Sequence, residues 1–249
     1  GGQIFHSHLG RLAHGQLIEH TVGGWYRTDK GHTVLAVRPT LGDFVREMPR
    51  GPQIIYPKDL GNIINMCDIF PGATVIEGGL GSGSLTSALL RAVSSEGQVI
   101  TYEIDESVVA KAMRNITNFV PSTSNLTIRI ADIYKDIDER NVDRIVLDVP
   151  EPWQAVHAIG DALVMGGIML SFLPTILQVH QLVLELERDT RFQLIQTVET
   201  LLRSWHVTLR SVRPDHRMVA HSGFPDIAKQ KWAGAQSPGE HLRLAGSTG

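Results

Sequence analysis

The chain has 249 residues, of which 42% are hydrophobic and 20% charged, a composition that excludes disorder over most of its length. Its formal net charge of -3 gives no overall attraction to polyanions, so any nucleic-acid surface would have to be a local patch of lysine and arginine. Cys67 is the single cysteine, which excludes an intrachain disulfide framework and an all-cysteine metal site, and favours a cytoplasmic location.

The first predicted elements are strand-like pieces at residues 15–22 (GQLIEHTV) and 32–38 (HTVLAVR), separated by the turn signals GG and DKG. They predict a small N-terminal β module over residues 1–50. The histidines of this region are accompanied neither by cysteine nor by an acidic cluster, so no metal site is expected. These histidines are His6, His8, His14 and His20.

From residue 73 onward, short apolar runs alternate with helical patterns. Continuous apolar strands are typical of a parallel sheet that helices cover on both faces, so the pattern predicts a doubly wound α/β domain. The predicted strands are ATVIE, QVITYEI, LTIRIAD, RIVLDV and GGIMLSFLP, and the intervening helices are LTSALLRAV, ESVVAKAMRNITNFV, WQAVHAIGDAL and ILQVHQLVLELERDT.

After Arg191 the alternation lacks a clear helix, and two terminal strands are predicted to pair antiparallel at one edge of the sheet. The segment 232–249 is rich in glycine, serine and proline and offers little to bury. It is expected to be a disordered tail.

A glycine-rich turn, EGGLGSG at residues 77–83, follows the first strand of the main domain. Glycines there permit positive φ and close approach of the backbone to a ligand, and the helix that follows offers free N–H groups. Glu103 ends the next strand, where an acidic side chain can accept hydrogen bonds from ribose hydroxyls. The spacing predicts a nucleotide-like ligand.

Two cofactor classes use such a turn. A dinucleotide favours G-x-G-x-x-G, but Ser84 occupies the sixth position and Glu77 places a carboxylate before the turn. The anion of Glu77 would repel a diphosphate and attract the ammonium group of S-adenosylmethionine. Asp132, which ends the third strand, is placed to accept a hydrogen bond from the adenine amino group. S-adenosylmethionine is therefore the favoured cofactor; a nicotinamide or flavin cofactor, or a purely structural turn, is the alternative.

The fourth strand ends in Asp148, within LDVPEPW. In an open α/β sheet this end faces the ligand crevice, so Asp148 is a candidate for the chemistry. The alternative is that Asp148 caps a helix beginning near Trp153.

Several blocks in order resemble the bacterial and archaeal tRNA (adenine-58-N1)-methyltransferases. The resemblance runs from about Phe5 to about Lys229 and includes FHSHLGRLAH, RPTLGDFVREMPRGPQIIYPKD, PGATVIEGGLGSGSLT, YEIDESVVAKAMRN, LDVPEPW and RPDHRMVAHSGF. Three departures accompany it. The chain looks as if it lacks strands that precede the FHSH block in the family, Gly78 replaces the usual alanine, and Pro225 predicts an earlier end of the last strand.

The resemblance implies a Rossmann-like class I methyltransferase domain over residues 51–231, with a seven-stranded, mostly parallel sheet and an antiparallel edge strand. It implies a homotetramer that transfers methyl from S-adenosylmethionine to N1 of adenine 58 in the T loop of tRNA. Adenine N1 would attack in line without a general base, the matching Asp148 would accept from the N6 amine, and Tyr56 would line the same pocket. The expected cofactor-binding residues are Glu77, Gly79, Gly81, Ser82, Gly83, Ser84, Leu85, Glu103, Asp132 and Asp148.

The target base is stacked within tRNA, so it must leave its stack, and phosphate contacts must offset that cost. The RNA-binding candidates are Arg46, Arg50, Lys58, Arg213, Arg217 and His221. Two alternatives remain: a methyltransferase acting on protein isoaspartate or a small molecule, and a noncatalytic RNA-binding subunit.

Overall fold

The computed structural model describes residues 3–18, 23–49, 54–218 and 220–231. The chain forms two compact units, Gly1–Glu47 and a larger one that begins at Met48. The predicted tail from Trp232, together with His20 and Arg50, lies outside the described residues.

The described residues of the N-terminal unit form two antiparallel hairpins and two short helices. Its elements in chain order are β1 (Ile4–Ser7), β2 (Gly10–Ala13), α1 (His14–Ile18), β3 (Gly24–Arg27), β4 (Thr33–Ala36) and α2 (Leu41–Glu47). β1 pairs with β2, and β3 pairs with β4. The predicted strand at residues 15–22 is wrong over residues 15–18, which belong to α1, because so short an apolar pattern does not distinguish a strand from a helical turn.

The main unit alternates strands and helices. Its elements are α3 (Pro57–Met66), β5 (Thr74–Gly78), α4 (Ser84–Val93), β6 (Gln98–Glu103), α5 (Glu106–Phe119), β7 (Leu126–Ile130), β8 (Val142–Leu147), a 3-10 turn (Pro152–Ala155), α6 (Val156–Ala162), β9 (Leu163–Leu173), α7 (Ile176–Arg188), β10 (Phe192–Thr197), β11 (Trp205–Thr208), β12 (Ser211–Pro214) and β13 (Phe224–Gln230).

The main sheet has seven strands in the order β10, β13, β9, β8, β5, β6, β7. β13 runs antiparallel to both of its neighbours, whereas the pairs from β9 to β7 are parallel. The predicted Rossmann-like methyltransferase fold is therefore confirmed, with the antiparallel strand one position inside the edge strand β10. The carboxyl ends of β5, β6, β7 and β8 lie at one edge of the sheet, where the predicted acidic residues follow them.

The expected early end of the last strand is wrong, because β13 includes Pro225 and continues to Gln230. The carbonyl of Pro225 accepts the N–H of Val198, just beyond the end of β10 at Thr197. Pro225 directly precedes Asp226, the partner of the last residue of β10, so its missing N–H falls at the end of this pairing, where proline is tolerated. Helix α3 and the separate hairpin of β11 and β12 were not predicted.

Candidate active site

The turn between β5 and α4 has the backbone conformation that its glycines permit. Gly79 has φ +91°, and a Cβ on it would lie 2.5 Å from the carbonyl oxygen of Asp148. Gly83 has φ +82°, and a Cβ there would lie 2.7 Å from Cγ1 of Ile116. Both positions therefore require glycine, and the turn brings the start of α4 to the carboxyl edge of the sheet.

The glycine turn is joined to the end of β6 by Glu103. Oε2 of Glu103 lies 3.3 Å from the backbone nitrogen of Gly81, and Oε1 accepts the N–H groups of Ile104 and Asp105. These backbone donors fix the carboxylate at the mouth of the turn, where it remains partly exposed. Its free lone pairs can accept hydroxyl donors from a ligand.

A cavity of about 180 Å³ lies beside this carboxylate. Its lining combines two acids with apolar side chains, a suitable surface for a flat heteroaromatic ring that carries donors at its edge. The lining residues are Gly79, Tyr102, Glu103, Ile104, Ala131, Asp132, Ile133, Tyr134, Val149 and Pro150. Ile104, Ile133, Tyr134, Val149 and Pro150 were not predicted, although each lies within two residues of a predicted acid.

Asp132 lies in this lining, two residues beyond the end of β7. Its Oδ1 accepts the N–H of Tyr134, and its Oδ2 lies 2.7 Å from Nζ of Lys135. The hydrogen bond from Lys135 lowers the pKa of Asp132 below its usual value, so the side chain is an anion at neutral pH. The structure therefore brings Glu103 and Asp132 together at one cavity.

Glu77 does not reach that cavity. Its carboxyl has no exposed surface, and it accepts hydrogen bonds from Thr86 Oγ1 and Thr101 Oγ1. Burial raises its pKa to about 8, with further contributions from the charges of Asp148 and Glu103. The expected direct contact between Glu77 and a ligand ammonium is therefore corrected: Glu77 lies beneath the turn and connects β5 to β6 and α4.

Asp148 follows β8 and lies beside the glycine turn. Its backbone N–H donates to the carbonyl of Gly78, while its carboxyl hydrogen bonds to no residue in the described part of the chain. The residue is exposed at the mouth of the site, while desolvation by the protein atoms around its carboxyl raises the pKa of Asp148 to about 6. The helix-capping interpretation is wrong, since Glu151 is the N-cap of the 3-10 turn.

Three further cofactor candidates, Ser82, Ser84 and Leu85, have buried side chains. The carbonyl of Ser82 accepts from Nδ2 of Asn115, and Leu85 packs inside the first turn of α4. Among these candidates, Ser84 presents the first backbone N–H of the helix. Their expected ligand contacts would therefore be made through the backbone.

Tyr56 and Lys58 lie at the start of α3. Tyr56 is the half-buried N-cap residue of the helix, not part of a strand. The side chain of Lys58 is only 4% exposed and binds Asp59 and the carbonyl of Thr200, so the prediction that Lys58 contacts RNA from an exposed rim is corrected. Arg46, in the N-terminal unit, is exposed and pairs with Asp43.

The remaining RNA candidates differ in their availability. Arg213 and Arg217 are exposed, and neither pairs with a carboxylate within the described residues. His221 is also exposed, but both of its ring nitrogens are hydrogen bonded, to Glu199 and to the carbonyl of Pro174. The arginines are therefore free to contact phosphate, and His221 has an intramolecular role.

Comparison with known protein families places this site in context. Residues 32–230 match the family described as tRNA methyltransferase complex GCD14 subunit. The chain belongs to this family. The family resemblance predicted from the sequence blocks is thus confirmed over most of the chain.

Several relatives of this GCD14 family chain are named as methyltransferases. The chain is 34% identical to the tRNA (adenine(58)-N(1))-methyltransferase TrmI of Thermus thermophilus, over 93% of this chain and 90% of that protein. A structure described as a SAM-dependent O-methyltransferase from Thermotoga maritima superposes with a TM-score of 0.87 at 33% identity, covering 94% of this chain and 88% of that one. The tRNA (m1A58) methyltransferase TrmI of Aquifex aeolicus gives 0.80 at 26% identity, covering 92% and 89%.

At Gly78 this GCD14 family chain departs from the expected alanine. A Cβ there would lie 2.7 Å from Cδ1 of Ile133 and 2.8 Å from Cδ2 of Leu147. The ends of these two side chains thus occupy the space that an alanine methyl would need, and Ile133 also lines the cavity. The departure at Gly78 is accommodated by packing next to the site.

The described residues of this GCD14 family chain contain no helix that is long and apolar enough to cross a membrane. They also contain no group of three or more histidine, cysteine, aspartate or glutamate residues that could hold a metal ion.

Proposed function

We propose that this chain transfers the methyl group of S-adenosylmethionine to N1 of adenine 58 in the T loop of tRNA. Membership of a family of tRNA methyltransferase subunits supports this activity, as does the 34% identity to a relative of that name over 93% of the chain. The observation that carries the proposal is the Asp148 carboxyl, which lies beside the glycine turn and has no partner among the described residues.

The cofactor is S-adenosylmethionine, and the residues present fit it. Glu103 would accept the ribose hydroxyls, Asp132 the adenine amino group, and the apolar cavity wall would hold the adenine ring. At Gly79 a Cβ would fill the cradle, 2.5 Å from the carbonyl of Asp148. When bound, the cofactor supplies a methyl group on a sulfonium, which is electrophilic without further activation.

On the acceptor side, the task of the chain is orientation. Adenine N1 has an in-plane lone pair and needs no general base for in-line attack. Asp148 would accept a hydrogen bond from the exocyclic N6 amine and so align N1. Its negative charge would also offset the positive charge that develops on the ring, a preorganised electrostatic contribution. Tyr56, at the start of α3, would line the same pocket.

Binding of tRNA and assembly involve the hairpin of β11 and β12. The pairs Trp205 with Pro214 and Val207 with Val212 form an apolar face, and His206 with Arg213 and Thr208 with Ser211 form a polar one. All residues of β11 are exposed, and Trp205 is 59% exposed. An exposed apolar hairpin face is typical of an interface, so it would pack against a second copy of the chain in a homotetramer.

The polar face of the same hairpin would bind tRNA. Arg213, on this face, and Arg217 would contact tRNA phosphates, and the reaction would take place in the cytoplasm.

A second candidate function follows from the name of the Thermotoga structure, a SAM-dependent O-methyltransferase. A hydroxyl acceptor must lose its proton, so it would need a general base close to the transferred methyl group. Asp148, with a pKa raised to about 6, is the residue that would serve as that base. The acceptor would then be a small hydroxyl compound or a protein side chain.

The deciding experiment incubates the protein with methyl-labelled S-adenosylmethionine and an unmodified tRNA transcript, followed by digestion to nucleosides. The proposal expects label in 1-methyladenosine from the T loop, lost in Asp148→Ala and retained in Asp143→Asn. Asp143 is a matched control because its Oδ2 accepts the N–H of Thr74 near the opposite end of the sheet. Wild-type protein that binds the cofactor but labels no tRNA would refute the proposal and favour another acceptor.

A further inference from the structure

The start of α3 carries a buried ion pair between adjacent residues. Nζ of Lys58 lies 2.9 Å from Oδ1 of Asp59, and the two side chains are 4% and 0% exposed. Lys58 also donates to the carbonyl of Thr200 at 2.8 Å. Removing two charges from water is costly, and hydrogen bonds to the remaining atoms must offset that cost, so this pair requires a specific set of partners.

Those partners come from two distant segments of the chain. Oδ2 of Asp59 accepts a 2.6 Å hydrogen bond from Oγ of Ser222, which precedes β13. Thr200, which follows β10, also receives Nδ2 of Asn62 on its Oγ1 at 2.7 Å. The N-terminal turn of α3 is thus tied to the segment after β10 and to the segment before β13, and both lie at the carboxyl edge of the parallel strands.

His221 extends this network to β9. Nδ1 of His221 lies 2.8 Å from Oε1 of Glu199, and Nε2 lies 2.9 Å from the carbonyl oxygen of Pro174. A carbonyl and a carboxylate can only accept, so the protonated ring, which donates from both nitrogens, suits both partners. The hydrogen bond to Pro174 and that to Glu199 raise the pKa of His221, whereas the charge of Lys58 lowers it.

The network bears directly on Tyr56. The carbonyl of Tyr56 accepts the N–H groups of Asp59 and Leu60 at 2.9 and 3.0 Å, so the anchored Asp59 fixes the peptide that carries Tyr56. At its other end, Pro174 follows β9, the immediate neighbour of β8, whose end carries Asp148. The network therefore spans from the base of Tyr56 to the strand ends beside Asp148.

We propose that this network is a clasp that positions the acceptor side of the active site for methyl transfer to tRNA. The clasp consists of Lys58, Asp59, Glu199, Thr200, His221 and Ser222. These are positioning residues, which act through Tyr56 and through the segments that border Asp148. The inference rests on the proposed function, since its readout is transfer to tRNA.

The test compares variants on both sides of the clasp. In the full-length protein, Asp59→Asn leaves Lys58 without its anion, and Ser222→Ala removes the donor to Asp59. Ser222→Thr keeps the hydroxyl and is the conservative rescue. Asp143→Asn, near the opposite end of the sheet, is the matched control for loss of a structural carboxylate.

Three measurements are made on each variant: the dissociation constant for S-adenosylmethionine by calorimetry, kcat and KM with tRNA, and amide hydrogen exchange at residues 56–60. Asp59→Asn and Ser222→Ala are expected to bind the cofactor like wild type, to exchange faster at residues 56–60, and to lose roughly tenfold or more in kcat/KM for tRNA, since small misplacements of positioning groups are costly. Ser222→Thr is expected to recover both exchange protection and turnover.

His221 supplies an independent pH readout. Its raised pKa means that the clasp is intact below the ordinary histidine value of 6.5 and loosens as pH rises through the folded value. Protection at residues 56–60, measured relative to the intrinsic exchange rate at each pH, should therefore fall at alkaline pH in wild type, whereas His221→Gln should be weakly protected throughout. The charged groups that face His221 are Glu199 and Lys58. Glu199→Gln removes the carboxylate that raises the pKa of His221, so the loss of protection should begin at a lower pH than in wild type.

The outcomes separate the clasp from the proposed function. Active wild type with clasp variants that turn over normally would overturn the positioning role alone. If Asp143→Asn loses as much kcat/KM as the clasp variants, or if the clasp variants also lose affinity for the cofactor, the effect is a general loss of stability. Either result would overturn the positioning role as well. Wild type that methylates no tRNA would refute the proposed function and the clasp together, whatever the exchange data show.

Discussion

Oε2 of Glu77 lies 2.6 Å from Oγ1 of Thr101, inside a site where the carboxyl has no contact with solvent. Burial raises the pKa of Glu77 to about 8 from an ordinary 4.5, against the hydrogen bonds from Thr101 and Thr86 that lower it. The protonated form therefore stabilises the fold. This contribution is fully present below the unfolded value near 4.5 and is lost as pH rises through about 8.

Glu77→Gln keeps the shape of the side chain without a titrating proton. Across the window from pH 4.5 to about 8, the melting temperature of wild type should fall relative to that of the variant, since the carboxyl of Glu77 ionises in the unfolded chain but stays protonated in the folded one. Thermal unfolding followed by circular dichroism across this window checks the prediction. Glu96→Gln, which changes an exposed carboxyl, should follow the pH dependence of wild type. If the melting temperatures of all three proteins change in parallel with pH, the raised pKa of Glu77 is incorrect.

Gly79 and Gly72 form a matched pair for the close approach at the turn. Their φ angles are +91° and +92°, but only a Cβ on Gly79 meets a neighbour, the carbonyl of Asp148 at 2.5 Å. Gly72→Ala should cost about 1–2 kcal/mol from backbone strain. Gly79→Ala should cost about 1–3 kcal/mol more from overpacking.

Urea unfolding and calorimetry with S-adenosylmethionine distinguish the two substitutions. Gly79→Ala should weaken cofactor binding because it displaces the backbone of Asp148, and Gly72→Ala should bind like wild type. Equal effects of the two substitutions on affinity would mean that the turn does not depend on the contact with Asp148.

The sequence was sufficient to predict that three acids would lie at one edge of the sheet, because each of them lies at the end of a strand. Glu103, Asp132 and Asp148 each follow a continuous apolar run, and parallel strands bring such ends to a common edge. The cavity also uses Ile104 and Ile133, which directly follow two of these acids; an apolar residue after a terminal acid is the signal that could have identified them.

The burial of Lys58 and Glu77 could not be predicted in the same way. Lys58 has the appearance of a surface charge in sequence, and its burial depends on Asp59 and on the carbonyl of Thr200, which lies 142 residues away. The depth of Glu77 was missed for a related reason, since its hydroxyl partner Thr101 belongs to the neighbouring strand. Burial of a charged group depends on tertiary partners that local patterns do not contain.

Asp148 should give the transfer reaction an acidic limit. Burial raises its pKa to about 6, and the proposed role requires the carboxylate, which can accept from the N6 amine and offset charge. The single-turnover rate with tRNA should therefore fall as pH drops below about 6 in wild type. Asp148→Asn should be slower by roughly 10²-fold and should lack this pH dependence.

Asp226→Asn is the matched control for the pH profile. Burial also raises the pKa of Asp226 to about 6, but its carboxyl bonds to Thr197 and lies within the sheet. The variant should change thermal stability and leave the acidic limit of transfer unchanged. An acidic limit that disappears in Asp226→Asn and persists in Asp148→Asn would remove Asp148 from the proposed mechanism.

The two faces of the hairpin of β11 and β12 should separate assembly from tRNA binding. Val207 and Thr208 are consecutive, exposed residues on opposite faces, with Val207 on the apolar one. Val207→Asp should dissociate the proposed homotetramer because it places a charge in the proposed apolar contact between copies, and Thr208→Asp should not. Size-exclusion chromatography with light scattering measures the difference directly.

Arg213 lies on the polar face with Thr208, so Arg213→Ala should keep the mass of the assembly. It should weaken tRNA binding and reduce the slope of log K against log salt by about 1, the signature of one lost phosphate contact. Filter binding over a range of salt concentrations gives this slope. If Val207→Asp leaves the mass intact, the assignment of the apolar face to a second copy is incorrect. If Arg213→Ala lowers the mass, the assignment of the polar face to RNA alone is incorrect.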